Sequence, residues 1–247
     1  MSDRPAAATL RPLRPATPRE RLIVALDVPD MDAAHDLVIR LTPAVRWFKI
    51  GSELFTAAGP RAVDVVLEHG GRVFLDLKFH DIPHTVAAAV ASAVRLGVSM
   101  LNVHVAGGEA MMRAAAQARS WASAYVIGVT ALTSTEVDVI EIVEMARRAL
   151  DAELDGVVAS PRETAAIKEA CGSAFVVVTP GIRVASPVPG DDQRRVGSPA
   201  LAIAGGSDFL VVGRPVLRAP DPLEVVERIV AEAAQRIDFR RPSKSER

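Results

Sequence analysis

The sequence alternates between two kinds of hydrophobic pattern, and this alternation restricts the possible folds more than any other feature. Short apolar runs rich in β-branched residues recur along the chain, and between them apolar residues return every three or four positions, as at Leu37, Val38 and Leu41. The runs cover residues 22–28, 45–51, 72–79, 100–106, 124–132, 155–160, 174–182 and 208–216. Strands that alternate with helices in this way predict an α/β protein, a (β/α)8 barrel formed by a single domain.

Residues that favour helix ends stand where this alternation needs them. Asp30 or Asp32 can cap the first helix, and Pro222 stands near the start of the last one. Gly70 and Gly97 mark positions where helices should end. A doubly wound open sheet is the alternative fold, but the Gly-x-Gly-x-x-Gly turn that usually follows an early strand in such sheets is missing after the first apolar run.

The barrel is predicted to occupy residues 20–238, between a flexible leader at 1–19 and a tail at 239–247. Segment 183–195 is rich in proline, glycine and aspartate. It predicts a long loop after the seventh strand, where barrels often place a functional lid.

Charge and cysteine content exclude several classes of protein. The 247 residues include 29 basic and 30 acidic ones, so the net charge of −1 gives no indication of a general nucleic-acid or membrane-surface binder. Cys171 is the only cysteine, which rules out an internal disulfide and makes a reducing cytoplasm the expected location. No apolar run approaches the ~18–20 residues of a membrane span. Any attraction for an anionic ligand must therefore be local.

The third apolar run carries its charges on one side only. Its apolar side chains alternate along the strand, at Val73, Leu75, Leu77 and Phe79. This face should meet the helices, because alternate strand residues of a barrel point outward and inward. Asp76 and Lys78 share the other face and should point together into the barrel mouth, where active sites of barrels gather.

Two neighbouring strands should deliver charges to the same mouth. Lys49 near the end of the second strand and Asp27 at the end of the first both fall on the inward face. A structural ion-pair network is the alternative, but converging charges of alternating sign at several strand ends favour a functional site. Asp81 lies just beyond the third strand, and spacing alone also allows it to be the N-cap of the next helix.

The last two strands end in sequences that suit a phosphate group. Pro-Gly-Ile-Arg at 180–183 closes the seventh strand, and Val-Gly-Arg-Pro at 212–215 closes the eighth. Barrels frequently bind phosphate with these two loops, through backbone N–H groups and an arginine. Gly213 permits close backbone approach and Arg214 can donate two parallel hydrogen bonds, whereas the alternative is a turn glycine with a surface arginine. Their placement predicts a phosphorylated small molecule as the ligand.

The stretch Asp-Leu-Lys-Phe-His-Asp-Ile-Pro-His-Thr at 76–85 resembles the signature of bacterial orotidine 5′-phosphate decarboxylases. The resemblance covers roughly residues 21–236 and includes Leu-Asp at 26–27, Lys-x-Gly at 49–51, Leu-Thr-Ser at 132–134, Asp-Gln-x-Arg at 192–195 and the two strand-end motifs above. It implies a homodimer of (β/α)8 barrels with active sites at the subunit interface. It also implies the reaction: orotidine 5′-phosphate loses CO2 to give uridine 5′-phosphate, the last step of pyrimidine nucleotide synthesis, with no metal or organic cofactor.

The resemblance further implies roles for matching residues. Lys49, Asp76 and Lys78 of one subunit would form a charged array with Asp81 of the other. Decarboxylation leaves electrons at C6 of the pyrimidine without an electron sink, and Lys78 can serve as both the neighbouring cation and the proton donor. Asp76 would lie near the substrate carboxylate, and two like charges ~3–4 Å apart repel by roughly 4–5 kcal/mol at an effective dielectric constant near 20.

The other substrate-binding residues implied by the resemblance fall into groups by the part of the nucleotide that they would contact. They are Asp27, Lys49 and the partner's Thr85 for the ribose, Thr133 or its neighbour Ser134 for the pyrimidine, and Arg183, Gln193, the Gly213 backbone and Arg214 for the phosphate and its closing loop, with Ile82 as a further substrate contact.

Two other functions are alternatives. A related phosphate-binding barrel could use Asp76 and Asp81 to bind Mg²⁺, since carboxylates suit a hard cation, and sensitivity to EDTA would reveal it. A non-catalytic sensor built on a decayed barrel is a second alternative, but it should have lost at least one member of the charged array. Every member is present in the sequence, which favours the enzyme.

Overall fold

The strands close into one barrel. The computed structural model describes residues 14–119, 124–131, 137–183 and 197–238. Within these ranges eight parallel strands follow one another around the barrel in chain order, and the last pairs with the first. They are β1 (Leu22–Ala25), β2 (Trp47–Gly51), β3 (Arg72–Phe79), β4 (Met100–His104), β5 (Tyr125–Val129), β6 (Gly156–Val158), β7 (Val176–Thr179) and β8 (Phe209–Val212). Each lies inside one of the apolar runs, so the predicted (β/α)8 barrel is confirmed.

Helices connect consecutive strands and surround the barrel. In the described ranges they are α1 (Met31–Leu41), α2 (Ser52–Ala58), α3 (Arg61–Glu68), α4 (Pro83–Arg95), α5 (Gly108–Ala118), α6 (Val139–Asp151), α7 (Thr164–Cys171), α8 (Pro199–Gly205), α9 (Arg214–Leu217) and α10 (Pro222–Asp238). Asp30 caps α1 by accepting a hydrogen bond from the Ala33 backbone N–H. None of these helices is both long enough and apolar enough to cross a membrane.

Two separate cores confirm the predicted direction of the strand side chains. One core lies between strands and helices and contains the outward residues Leu22 and Val24 of β1. The other fills the inside of the barrel and contains the alternate residues Ile23 and Ala25. Trp47 belongs to this inner core, where its ring packs edge-on against Phe209 with centroids 5.2 Å apart. The inner core fills the barrel below its mouth.

Buried carboxylates fasten the opposite end of the barrel. Asp208, immediately before β8, accepts hydrogen bonds from the Val177 backbone N–H at 2.8 Å and from Lys168 at 2.6 Å. Asp155 stands in the same position before β6 and pairs with Arg119. Each carboxylate thus satisfies a backbone group at the start of the preceding strand and neutralises a cation from a helix. The charges at this end of the barrel therefore stabilise the fold.

Candidate active site

A cavity of about 490 Å³ opens at the carboxyl ends of the strands. Its wall has two chemically different halves. The β1–β4 half supplies the polar groups of Asp27, Lys49, Asp76, Lys78 and Asn102. The β5–β8 half supplies one valine from each strand, Val129, Val158, Val178 and Val211. The cavity can therefore bind a ligand with one charged side and one flat apolar side.

The polar half contains a continuous charged array, formed by Asp27, Lys49, Asp76 and Lys78. Lys49 Nζ lies 2.8 Å from Asp27 Oδ1 and 3.3 Å from Asp76 Oδ2. Lys78 Nζ lies 2.7 Å from the other oxygen, Asp76 Oδ1. The inward direction predicted from strand periodicity is thus confirmed for all four side chains. Because each carboxylate stands beside a lysine, the array can hold several charges in a small space.

Burial and charge act in opposite directions within the array. Burial lowers the pKa of Lys49, but Asp76 and Asp27 outweigh this effect and leave the pKa of Lys49 raised. Burial likewise favours the neutral form of Asp76, but Lys49, Lys78 and the Asn102 amide hold the pKa of Asp76 below its ordinary value. Both groups therefore remain charged at neutral pH.

Strand β3 is irregular where it carries Lys78. Leu75 pairs with Leu101, but Phe79 pairs with Val103, so four steps along β3 correspond to two along β4. Lys78 has a φ of 53°, in the left-handed region that non-glycine residues rarely adopt. This bulge directs the Lys78 side chain back toward Asp76.

Asn102 is a site residue that the sequence reasoning missed. Its side chain, 1% exposed, lies on the inward face of β4 and contacts Asp76 and Lys78 of β3. Two signals could have revealed it: the alternation of β4 places it inside the barrel, and it is the only asparagine in the sequence.

The predicted phosphate-binding residues line the other side of the same cavity. Arg183 follows β7, and Gly213 and Arg214 follow β8; all three border the cavity. Gly181, before Arg183, has a φ of 76° and so occupies a turn that favours glycine. Two cationic side chains thus stand beyond the ends of β7 and β8, where an anionic group of the ligand can bind.

The structure does not bring Asp81, Ile82 and Thr85 into this cavity. All three are exposed at the start of α4, and the Ile82 side chain is 65% exposed. The N-cap interpretation of Asp81 is wrong, because Ile82 occupies the cap position and Asp81 Oδ1 accepts a hydrogen bond only from the adjacent Ile82 N–H among the described residues. Within one chain, Asp81 lacks the surroundings that its predicted role requires.

Three predicted contacts cannot be placed. Thr133, its neighbour Ser134 and Gln193 lie outside the described residues.

Two histidines stand beside the array. The rings of His80 and His104 are 5.2 Å apart, and the pKa of His104 is lowered by burial, by His80 and by Lys78.

In the described part of the chain, no three His, Cys, Asp or Glu side chains converge in a way that could hold a metal ion.

Comparisons with known proteins extend over this whole site. The profile of the "Orotidine 5'-phosphate decarboxylase / HUMPS family" matches residues 20–229. The chain is 53% identical over 233 residues to the orotidine 5′-phosphate decarboxylase of Moorella thermoacetica, which spans 87% of this chain and 92% of that protein. It is 48% identical over 238 residues to the enzyme of the same name from Syntrophotalea carbinolica, and this alignment covers 89% of this chain and 97% of that protein. Among solved structures, orotidine 5′-phosphate decarboxylase from Lactobacillus acidophilus matches with a TM-score of 0.75 at 32% identity and covers 87% of this chain and 99% of that chain.

Proposed function

Because the chain belongs to the orotidine 5′-phosphate decarboxylase / HUMPS family, we propose that it converts orotidine 5′-phosphate into uridine 5′-phosphate and CO2, the last step of pyrimidine nucleotide synthesis. The observation that carries this proposal is the charged array, in which Lys78 Nζ lies 2.7 Å from Asp76 Oδ1 at the edge of the cavity. A carboxylate and an ammonium group held side by side suit a reaction that removes a negative carboxylate and creates a negative carbon.

Lys78 is the proposed proton donor. When the bond between C6 and the carboxylate breaks, its electron pair stays on C6 and CO2 leaves. Lys78 then donates a proton to C6, and its neutral amine is protonated again from solvent. The Lys78 side chain is 36% exposed, which supports contact with both a ligand in the cavity and water.

Asp76 is proposed to lie next to the substrate carboxylate. Their repulsion, roughly 4–5 kcal/mol at ~3–4 Å and an effective dielectric constant near 20, disappears when neutral CO2 leaves. This amount is smaller than the barrier reductions of about 8–23 kcal/mol that enzymes commonly reach. The remainder must come from stabilisation of the carbanion by Lys78 and from binding of the distant phosphate.

The proposal also assigns the rest of the nucleotide. We place the ribose hydroxyls at Asp27 and Lys49, and the pyrimidine ring along the valine half. Arg183, Arg214 and the Gly213 backbone are proposed to bind the phosphate, with Gln193 in the closing loop and Thr133 or Ser134 at the pyrimidine. The two arginines follow β7 and β8, whereas the lysines of the charged array stand on β2 and β3, and this separation along the barrel supports the orientation.

The same geometry supports a mechanism without a metal ion. Asp76 Oδ1 already accepts hydrogen bonds from Lys78 and Asn102, and Oδ2 faces Lys49. Little capacity remains at this carboxylate for a hard cation, which requires several oxygen ligands. Activity that persists in EDTA would support this feature of the proposal.

We also propose that the enzyme is a homodimer in the cytoplasm. The exposed cluster of Asp81, Ile82 and Thr85 supports a second subunit, because an apolar side chain beside the mouth is left without cover in one chain. In the dimer, the partner subunit's Asp81 would complete the charged array, and the partner's Thr85 and Ile82 would contact the substrate. The single cysteine supports a reducing compartment.

The test follows the orotate absorbance after purified protein is mixed with orotidine 5′-phosphate, with and without EDTA. Rapid loss of the absorbance in both samples is expected. Lys78→Ala should lower kcat by at least about 10²–10⁴-fold, the range of general acid catalysis. Lys78→Arg is the matched control, because arginine keeps the charge but does not release a proton at neutral pH, and it should be inactive as well. No reaction with folded wild-type protein would overturn the proposal, and loss of activity only in EDTA would favour the Mg²⁺-dependent barrel.

A further inference from the structure

We propose that Asn102 is a positioning residue, which holds Asp76 and Lys78 in their reactive arrangement by bridging the irregular part of β3. The inference rests on the proposed decarboxylation and adds to it a residue that acts through its two charged neighbours.

The bulge in β3 removes a backbone N–H group from the regular strand pairing, and Asn102 accepts a hydrogen bond from this group. Where the pairing between β3 and β4 shifts, Lys78 adopts its left-handed backbone conformation, which is strained for a residue other than glycine. The Lys78 backbone N–H, which has left the regular ladder, donates to Asn102 Oδ1 at 2.8 Å. The amide therefore compensates the lost strand pairing and stabilises the strained residue.

The other end of the same amide fixes the carboxylate. Asn102 Nδ2 donates to Asp76 Oδ1 at 2.7 Å, the oxygen that also accepts from Lys78 Nζ. Lys49 occupies the opposite oxygen, so Asp76 is held from both sides. One buried group thus connects the backbone of the proposed proton donor to the carboxylate beside the leaving group.

The asparagine amide satisfies both neighbours at neutral pH. The bridge needs an acceptor toward the Lys78 N–H and a donor toward Asp76, and a planar amide provides one of each. The opposite rotation of the amide would place donor against donor and acceptor against acceptor, so the hydrogen bonds fix its orientation. A carboxylate lacks the donor, and an apolar residue lacks both groups.

The bridge stands in a densely charged environment. Asp76 and Lys78 face it from β3, Lys49 and Asp27 stand behind Asp76, and His104 follows on β4 with His80 beside it. A group that adds or loses a charge at position 102 must therefore change the pH dependence of the reaction, which a purely structural residue would not do.

The first test is Asn102→Ala, measured for kcat, KM, uridine 5′-phosphate affinity and thermal stability. Loss of the bridge should lower kcat on the order of 10²-fold, because small displacements of reacting groups have effects of this size. KM and product affinity should change less than about threefold, since the proposed ribose and phosphate contacts are not attached to Asn102. A crystal structure should show that Lys78 has left its left-handed conformation.

Asn102→Asp provides the decisive readout. At neutral pH the new carboxylate faces Asp76 without a donor, and kcat should be low. As the pH falls, the added carboxyl group takes up a proton and again offers one donor and one acceptor. Its kcat relative to wild type should therefore recover by about tenfold or more toward acid pH. Asn102→Ala should show no such recovery.

Thr164→Val is the matched control. Thr164 is fully buried on α7, donates to the Ser160 carbonyl and does not line the cavity. It should lower the melting temperature and leave kcat and its pH profile unchanged. Any one of three results would overturn the inference. They are a wild-type kcat in Asn102→Ala, an unchanged Lys78 backbone in the crystal structure of that variant, and no recovery of kcat at acid pH in Asn102→Asp. Failure of wild-type protein to decarboxylate the nucleotide would instead overturn the proposed function, and the Lys78 backbone would still test the bridge.

Discussion

At the scale of single residues, Asp76 is the most constrained group of the site. Lys49, Lys78 and Asn102 contact its two oxygens. Together they keep the carboxylate ionised, although its side chain is largely buried and only 14% exposed. The carboxylate and its neighbours stabilise one another, because removal of one partner of a buried ion pair leaves the charge of the other uncompensated.

Asp76→Asn should therefore change Lys49 as well as the reaction. Without the Asp76 charge, burial dominates at Lys49, and its raised pKa should fall. The basic limb of the kcat/KM profile, where Lys49 loses its proton, should move to lower pH, and kcat should drop on the order of 10²-fold or more. Steady-state kinetics across a pH series measure both changes.

Glu109→Gln is the control for this prediction. Glu109 also pairs with a cation, Arg113, at 2.8 Å, but both side chains are exposed. Such surface pairs contribute little, so kinetics and pH profile should match wild type. A basic limb that stays in place in Asp76→Asn would contradict the assignment of Lys49 to the array.

At the scale of elements, the turn from β8 into α9 is the proposed link between phosphate binding and decarboxylation. Arg214 opens α9 and borders the same cavity as the charged array. Arg214→Ala should lower kcat/KM for orotidine 5′-phosphate on the order of 10²-fold, because truncation of a charge-assisted contact to the phosphate removes binding free energy that supports the reaction. Orotidine, which has no phosphate, should react equally slowly with both proteins.

Arg218→Ala serves as its control. Arg218 carries the same charge at the end of the same short helix, but it is exposed and does not line the cavity. Its kinetics should equal those of wild type. An unchanged kcat/KM in Arg214→Ala would exclude Arg214 from phosphate binding.

Strand periodicity predicted the elements and the direction of their side chains, and the reason is physical. Alternation places Asp76 and Lys78 opposite Leu75 and Leu77, and this depends only on local geometry. The bulge in β3 escaped prediction because it arises from pairing with β4, which local patterns do not encode. Asn102 was missed for the same reason. It matters because it accepts a hydrogen bond from the Lys78 N–H, which the bulge removes from the regular strand pairing.

At the scale of the whole molecule, a single chain presents a divided site. The charged array lies inside the barrel mouth, whereas Asp81, Ile82 and Thr85 lie exposed at the start of α4. The family resemblance predicted that a second subunit supplies these residues. Their exposure in one chain agrees with that prediction, which itself awaits a test.

Mixed dimers provide that test. Lys78→Ala and Asp81→Ala should each be nearly inactive, but their co-expression should restore about a quarter of wild-type activity, because about half of the dimers are hybrids and each hybrid has one intact site of two. The turnover of the purified mixture measures the recovery.

Co-expression of Lys78→Ala with Asp76→Ala is the control. Both residues belong to β3 of the same subunit, so no hybrid contains an intact site and activity should not return. Absence of recovery in the first pair as well would contradict a site shared between subunits.

The division of the cavity wall into a polar and a valine half also has a consequence for redesign. The charged array comes from the β1–β4 side, whereas the valines Val129, Val158, Val178 and Val211 come from β5–β8. A library restricted to these four positions would alter the size and shape of the accepted ring while the groups that handle charge stay constant. Substrate range can thus be evolved while the charged array stays constant, because the array and the four valines are encoded in different halves of the gene.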